Sequence, residues 1–262
     1  MTLPTPDPAF HWTAEAWGHA LRSKPLAAIA QHAFTSKQLQ LRGGPEVQPT
    51  AWADAAAAVG GNLNHVIRVK QVHGAVVRVL KRGQTLTADL AQTPDADAIV
   101  SNLSGLVLSV QVADCVPILI ADARGGSAAA IHAGWRGTSA GVAPAAIDAM
   151  AKEFGCDPAN LIAAIGPSIG PCCYDVGQTV LDAFRRAGAT DEHVGRWFRQ
   201  MDAGALRLDL WAANRDQLVR AGLRAHRIAI CGLCTQTHHQ VFESYRVDRE
   251  RAGRMAALIA VP

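Results

Sequence analysis

The sequence predicts an α+β fold, a single layered domain of helices packed on mixed β-sheets. Three observations carry that expectation. The near-continuous apolar runs LVLSVQV (106–112), CVPILIAD (115–122) and SAAAIHA (127–133) have the composition of strands buried on both faces. Stretches with apolar residues three and four apart, such as TVLDAFRR (179–186), have the period of amphipathic helices. Several strand-like runs also follow one another with no helix between them, which favours mixed sheets over a doubly wound parallel sheet.

Taken in order, residues 1–25 carry Pro4, Pro6, Pro8 and Pro25 and read as an irregular arm, leaving residues 26–262 as one domain. AIAQHAF (28–34) is a short strand, Gly43-Gly44-Pro45 a loop, and TAWADAAAAVG (50–60) a helix ended by Gly60 and Gly61. HVIRVKQVHGAVVRVL (65–80) alternates apolar and polar residues on both sides of Gly74, as two strand segments meeting at a bend. Thr138 or Ser139 is placed to cap a helix through AGVAPAAIDAMAKEFG (140–155), which Gly155 stops. LIAAIG (161–166) is a strand, and DVGQTVLDAFRRAG (175–188) a helix with Val176, Val180, Leu181 and Phe184 on one face. LDLWAANRDQLVRAG (208–222) is a further helix, while HRIAICG (226–232) and RMAALIAV (254–261) are strands.

A chain of 262 residues is long enough for a substantial core, and 49% of it is hydrophobic. A formal charge of +3 without a basic tract gives no case for nucleic acid, so local phosphate binding is the most the charge supports. No apolar stretch reaches membrane-spanning length; the longest is cut by Gln111 and Asp114. The N-terminus lacks the pattern of a signal peptide, so the expected compartment is the cytoplasm and the six cysteines are expected as reduced thiols.

Three short segments concentrate the chemistry. KQVHG (70–74), VADCVP (112–117) and IHAGWRGT (131–138) each put one metal-ligand type at the edge of a strand-like run: His73, Cys115 and His132. Two imidazoles and one thiolate make a three-ligand set, and catalytic zinc keeps its remaining position open. Asp114 is a candidate acceptor for an imidazole or a general base. Gly134-Trp135-Arg136-Gly137-Thr138 joins a strand to a helix, a junction suited to an anion, and Arg136 adds a planar donor fork. Cys172 and Cys173 follow a rigid Gly-Pro loop and are candidates to line a pocket. Cys231 and Cys234 spell CxxC without the second pair a zinc ribbon needs, so Cys231 is assigned to strand core.

The wording and order of QVHG, ADCVP and HAGWRGT resemble the laccase-domain family, long labelled polyphenol oxidases and now read as zinc-dependent purine nucleoside phosphorylases. The runs GPSIGPCCYDVG (166–177), Cys234-Thr235, Ser244-Tyr245-Arg246 and Gly253-Arg254-Met255-Ala256 are similar to its remaining blocks, so the resemblance covers roughly residues 60–262. It implies a single domain of helices and mixed sheets. It implies an enzyme that cleaves purine nucleosides with phosphate, and relatives are also credited with deaminating adenosine. His73, Cys115 and His132 would hold Zn²⁺ and act in catalysis beside Asp114. Arg136 and Arg246 would meet phosphate, and Tyr245 would stack on the base.

The chain departs from that family upstream. Its usual Gly-Gly-x-Ser loop is replaced by Thr35-Ser36-Lys37 and QLQLRGGPEVQ (38–48), and Trp52-Ala53 stands where many relatives have Asn-Arg. Three other functions therefore stay open: copper-dependent oxidation of phenols, since two His and one Cys also serve copper; a non-catalytic metal-binding relative; and a hydrolase using Cys115 as nucleophile.

Overall fold

The computed structural model describes residues 2–82, 93–201 and 204–262. Its strands are β1 (Phe10–Glu15), β2 (Gly18–Ser23), β3 (His32–Thr35), β4 (Val66–Ile67), β5 (Val77–Leu80), β6 (Ala98–Ser101), β7 (Val107–Val112) and β8 (Val116–Asp122). They continue with β9 (Ala128–Ala133), β10 (Leu161–Ile165), β11 (Asp175–Val176), β12 (Phe198–Gln200), β13 (Leu206–Leu208), β14 (Ile228–Ile230) and β15 (Met255–Ala260). The helices are α1 (Lys24–Ala27), α2 (Pro49–Ala57), α3 (Trp135–Ser139), α4 (Val142–Phe154), α5 (Gln178–Arg186), α6 (Asp191–Trp197), α7 (Leu210–Arg220) and α8 (Tyr245–Asp248).

Two six-stranded mixed sheets form the centre, ordered β1-β2-β3-β15-β7-β4 and β14-β10-β8-β9-β6-β5, with a small β11-β13-β12 sheet beside them. The pleat sends alternate side chains to opposite faces. From β15, Met255, Ala257 and Ile259 point into a core shared with Leu119, Ala121 and Ala130 of the second sheet. Its other face puts Ala256 and Leu258 against Trp52 and Ala55 of α2. Ile118, Ile120 and Ile131 of the second sheet pack on Val142, Ala146 and Met150 of α4. The order helix, sheet, sheet, helix explains why the central strands are apolar on both faces, and the α+β expectation holds.

Two chain crossings between the sheets position the site. The β4–β5 connection leaves the first sheet and enters the second, carrying His73. The three residues between β7 and β8 make the same move, carrying Asp114 and Cys115. Both His73 (φ 61°) and Asp114 (φ 83°) have left-handed backbone, a conformation that non-glycine residues adopt at some cost.

The structure corrects three expectations. The segment 1–25 is not an irregular arm throughout: Phe10 to Ser23 form the antiparallel β1–β2 pair, because no proline falls between Pro8 and Pro25 and the residues between them are free to join a ladder. Neither Thr138 nor Ser139 caps the long helix. Gly134 starts the five-residue α3 and Gly141 starts α4, while the Thr138 hydroxyl is buried against Asn214 of α7, whose Nδ2 donates to it at 3.1 Å. Val176 lies in β11 rather than on the face of α5. Gly155 does stop α4, in left-handed conformation (φ 71°).

Candidate functional site

Strand register brings the ligand types together. In the β8–β9 pair Val116 faces Ala133 and Pro117 faces His132, so Cys115 and Gly134 adjoin at the end of the ladder. A Cβ on Gly134 would sit 2.8 Å from the Cys115 sulfur and 3.1 Å from His73 Cδ2, so only glycine lets the three side chains close up without a shift. The ligating atoms of His73, Cys115 and His132 all lie within 4.8 Å of one another. Cys115 Sγ is 3.8 Å from His73 Nε2. The two imidazole rings meet edge to face at 4.8 Å between centroids.

Asp97, just before β6, organises this group. It is fully buried. Its Oδ1 accepts from His132 Nδ1 at 2.8 Å and from the His73 amide at 2.9 Å, and its Oδ2 accepts from the Gly74 amide at 2.6 Å. Burial would raise this carboxyl, but hydrogen bonds from His132 and Gly74 hold it below its ordinary value. With Nδ1 committed to Asp97, His132 presents Nε2 to the site. Burial also opposes charge on Cys115 and His132, yet their mutual attraction prevails: the thiol is pulled down to about 6 and the imidazole held up to about 9. Asp97 was missed in the sequence, where the acceptor role was offered to Asp114. The one signal was an acid directly before the short apolar run AIVS.

Asp114 serves different neighbours. Its Oδ1 accepts from the Thr235 hydroxyl and its Oδ2 from the Arg246 amide, both at 2.6 Å. It thereby ties the β7–β8 turn to the start of α8. Asp114 and the triad line a cavity of about 730 Å³.

The cavity is rimmed by the guanidinium groups of Arg68, Arg136, Arg246, Arg249 and Arg254. Arg136 lies over the Trp135 ring at 4.3 Å, Arg246 over Tyr174 at 5.3 Å and Arg68 over Trp52 at 4.8 Å. Tyr245 lines the rim, is 40% exposed, and donates its hydroxyl to Glu250 Oε1 at 2.7 Å. Burial pushes the Tyr174 phenol well above its usual range, so it keeps its proton at neutral pH. Arg68 was not anticipated. It stands on Trp52, the residue singled out as a departure from the resembled family.

Two expectations change here. The helix after His132 is a single five-residue turn, so its dipole gives little help to an anion and the guanidinium groups carry that case. Cys172 and Cys173 do not line the cavity; they meet Cys234 elsewhere. Cys231 is fully buried, and burial pushes its thiol up to about 12, as suits strand core.

Residues 39–262 match the family model described as multi-copper polyphenol oxidoreductase laccase, and the chain belongs to that family. A purine nucleoside phosphorylase of Bacteroides thetaiotaomicron is 36% identical over 165 residues, 63% of this chain and 60% of that relative. The chain thus spans less than two thirds of that relative's length. Adenosine deaminase RL5, from an unknown prokaryotic organism, is 36% identical over 202 residues, 76% of each chain. The crystal structure of Bacillus licheniformis hypothetical protein YfiH matches with a TM-score of 0.84 at 26% identity, covering 96% of this chain and 99% of that one. Among the described residues, no helix is long and apolar enough to cross a membrane.

Proposed function

We propose that the protein is a zinc-dependent purine nucleoside phosphorylase, with His73, Cys115 and His132 holding the ion. The observation that carries this reading is the convergence of the three ligand types, within 4.8 Å, on the floor of an arginine-rimmed cavity. The donor set fits zinc: bonds of about 2.0–2.3 Å at tetrahedral angles put ligands about 3.3–3.7 Å apart, near the 3.8 Å between Cys115 Sγ and His73 Nε2. The names of the relatives support the substrate class.

When bound, zinc would supply Lewis acidity and an activated water at this position. The protein's own groups do the rest. Asp97 fixes the His132 tautomer and holds its Nδ1 proton. Arg136 and Arg246, steadied by their aromatic partners, bind phosphate and orient one of its oxygens toward the ribose C1′ carbon. As that C–O bond forms, the C1′–N9 bond breaks and its electron pair leaves with the purine. Tyr174, kept protonated, can donate to an oxygen or ring nitrogen of the substrate. Tyr245, on the rim, offers its ring to the base. Asp114 is assigned a positioning role through its bonds to the Arg246 amide and Thr235.

Copper oxidase chemistry of the multicopper kind is less well served. Among the described residues the other convergent donor group is all cysteine, with no imidazoles for a trinuclear cluster. Three assays on one preparation test the proposal: inosine with and without phosphate, adenosine without phosphate, and a phenol with oxygen. Hypoxanthine and ribose 1-phosphate formed only with phosphate are expected. Phenol oxidation with no nucleoside turnover would overturn it, and inosine formed from adenosine alone would move the activity to deamination.

A further inference from the structure

Behind the cavity wall lies a second convergence of soft donors that the proposed function does not use. Cys172, Cys173 and Cys234 bring their sulfurs within 4.8 Å of one another. The Cys172 and Cys173 sulfurs are 3.3 Å apart, and the Thr237 hydroxyl lies 3.5 Å and 3.4 Å from them. Cys234 is buried, with its sulfur held in place by the Gly170 amide at 3.2 Å, whereas Cys172 is exposed and leaves the group open to solvent.

We propose that Cys172, Cys173 and Cys234 form a second cation site, separate from the His73–Cys115–His132 group, that takes one thiophilic d¹⁰ ion, Zn²⁺ or Cu⁺. Three sulfurs with no imidazole or carboxylate among them select soft cations over hard ones. Each thiol that binds gives its proton to solvent and forms one metal–sulfur bond, with no change of oxidation state. Three thiolates around either ion leave a net negative charge. Arg207 of β13, whose guanidinium is paired with Asp175 at 2.8 Å, also lies near enough to Cys172 and Cys173 to offset part of that charge. Zinc's fourth position would fall to a water on the side that Cys172 leaves open to solvent, with the Thr237 hydroxyl hydrogen-bonding the sulfurs. The ion would join the loop that carries Tyr174 to the turn whose Thr235 holds Asp114, and so stiffen one wall of the cavity.

Ion counting by native mass spectrometry tests this, using full-length protein stripped of metal and fully reduced. Zn²⁺ and, in a separate arm under anaerobic conditions, Cu⁺ are titrated in, and thiolate-to-metal absorption is followed in the ultraviolet. Wild type should take up two ions per chain in at least one arm. Cys172→Ser/Cys173→Ser should take up one, and Cys115→Ala/His132→Ala should keep one together with the thiolate absorption. Comparison of the two arms assigns the preferred ion. A single ion in wild type that disappears with Cys115→Ala/His132→Ala overturns the proposal. So does an unchanged ion count in Cys172→Ser/Cys173→Ser, which also serves alone should the triad variant fail to fold. A mass lower by two hydrogens once the reductant is withdrawn in air, with no second ion bound in the reduced protein, would replace the cation site by a disulfide.

Discussion

His132 and Arg136 are four residues apart in the chain and face the same cavity, yet they are held in different ways. His132 is 3% exposed, sits at the end of β9, and is bonded to a carboxylate with no exposure at all. Arg136 is exposed on a short helix and steadied mainly by the face of Trp135. The contrast extends to their neighbours. Triad and Asp97 cluster where strand ends and sheet crossings meet, whereas the rim arginines are spread along the chain, from Arg68 after β4 and Arg136 in α3 to Arg246 in α8 and Arg254 before β15. A rigid floor and an adjustable rim suit a site that keeps an ion in place while a charged substrate enters and leaves.

The largest effect should come from the floor. Cys115→Ala removes a ligand, and the loss in zinc affinity should exceed the roughly hundredfold associated with outer-shell partners. Dialysis against a zinc-selective chelator, followed by metal analysis, checks it. Zinc retained at the wild-type level would show that the sulfur is not a ligand.

The sheet bearing Arg68 and Arg254 at its ends should be the acid-sensitive one. His32 of β3 is fully buried; its Nε2 accepts from the Ser23 amide at 2.9 Å while Nδ1 donates to the Ala30 carbonyl at 3.1 Å. Burial is the main cause that lowers its pKa from 6.5 to about 4. Between those values the unfolded chain holds the extra proton. Stability therefore falls as pH drops below 6.5, and the loss is complete near pH 4, amounting to about 3 kcal/mol. Urea unfolding from pH 7 to pH 4 should show this slope, reduced in His32→Gln; an unchanged slope in that variant would assign the effect elsewhere.

Asp97→Asn should cost about tenfold to a hundredfold in zinc affinity, because the amide nitrogen that replaces Oδ2 cannot accept from the Gly74 amide and the negative charge beside His132 is lost. Competition with a zinc chelator measures it, and wild-type affinity would mean the triad holds its geometry unaided. The smallest effect should be at the rim. Arg136→Ala should raise the phosphate KM about tenfold, near the lower end of the roughly 1.5–3 kcal/mol of a hydrogen bond to a charged group, with zinc content unchanged. An unaltered phosphate dependence would make Arg136 a scaffold residue.

The same difference decided what could be read from the chain. Cys115 and His132 stand out because one directly precedes β8 and the other lies at the end of β9, and a ligand type at the edge of a long apolar run breaks the pattern. Asp97 was hidden because β6 is only four residues long and its partner His132 lies 35 positions away. Asp114 was legible as a site residue, but its bonds to Thr235 and Arg246 span more than a hundred residues and no local spacing encodes them. Arg68 was passed over as one cation in an alternating strand, since its place over Trp52 depends on how α2 packs on the first sheet. The β1–β2 hairpin was obscured by the prolines that flank it, Pro4, Pro6 and Pro8 before and Pro25 after.

If the floor's ion and nucleoside phosphorolysis are one device, activity and metal content move together. Bound zinc and phosphate-dependent release of hypoxanthine from inosine should be measured on the same samples as a chelator withdraws the metal and added zinc restores it. Turnover should follow occupancy of the His73–Cys115–His132 group down to near zero and back. Full turnover in protein with that group emptied would contradict it.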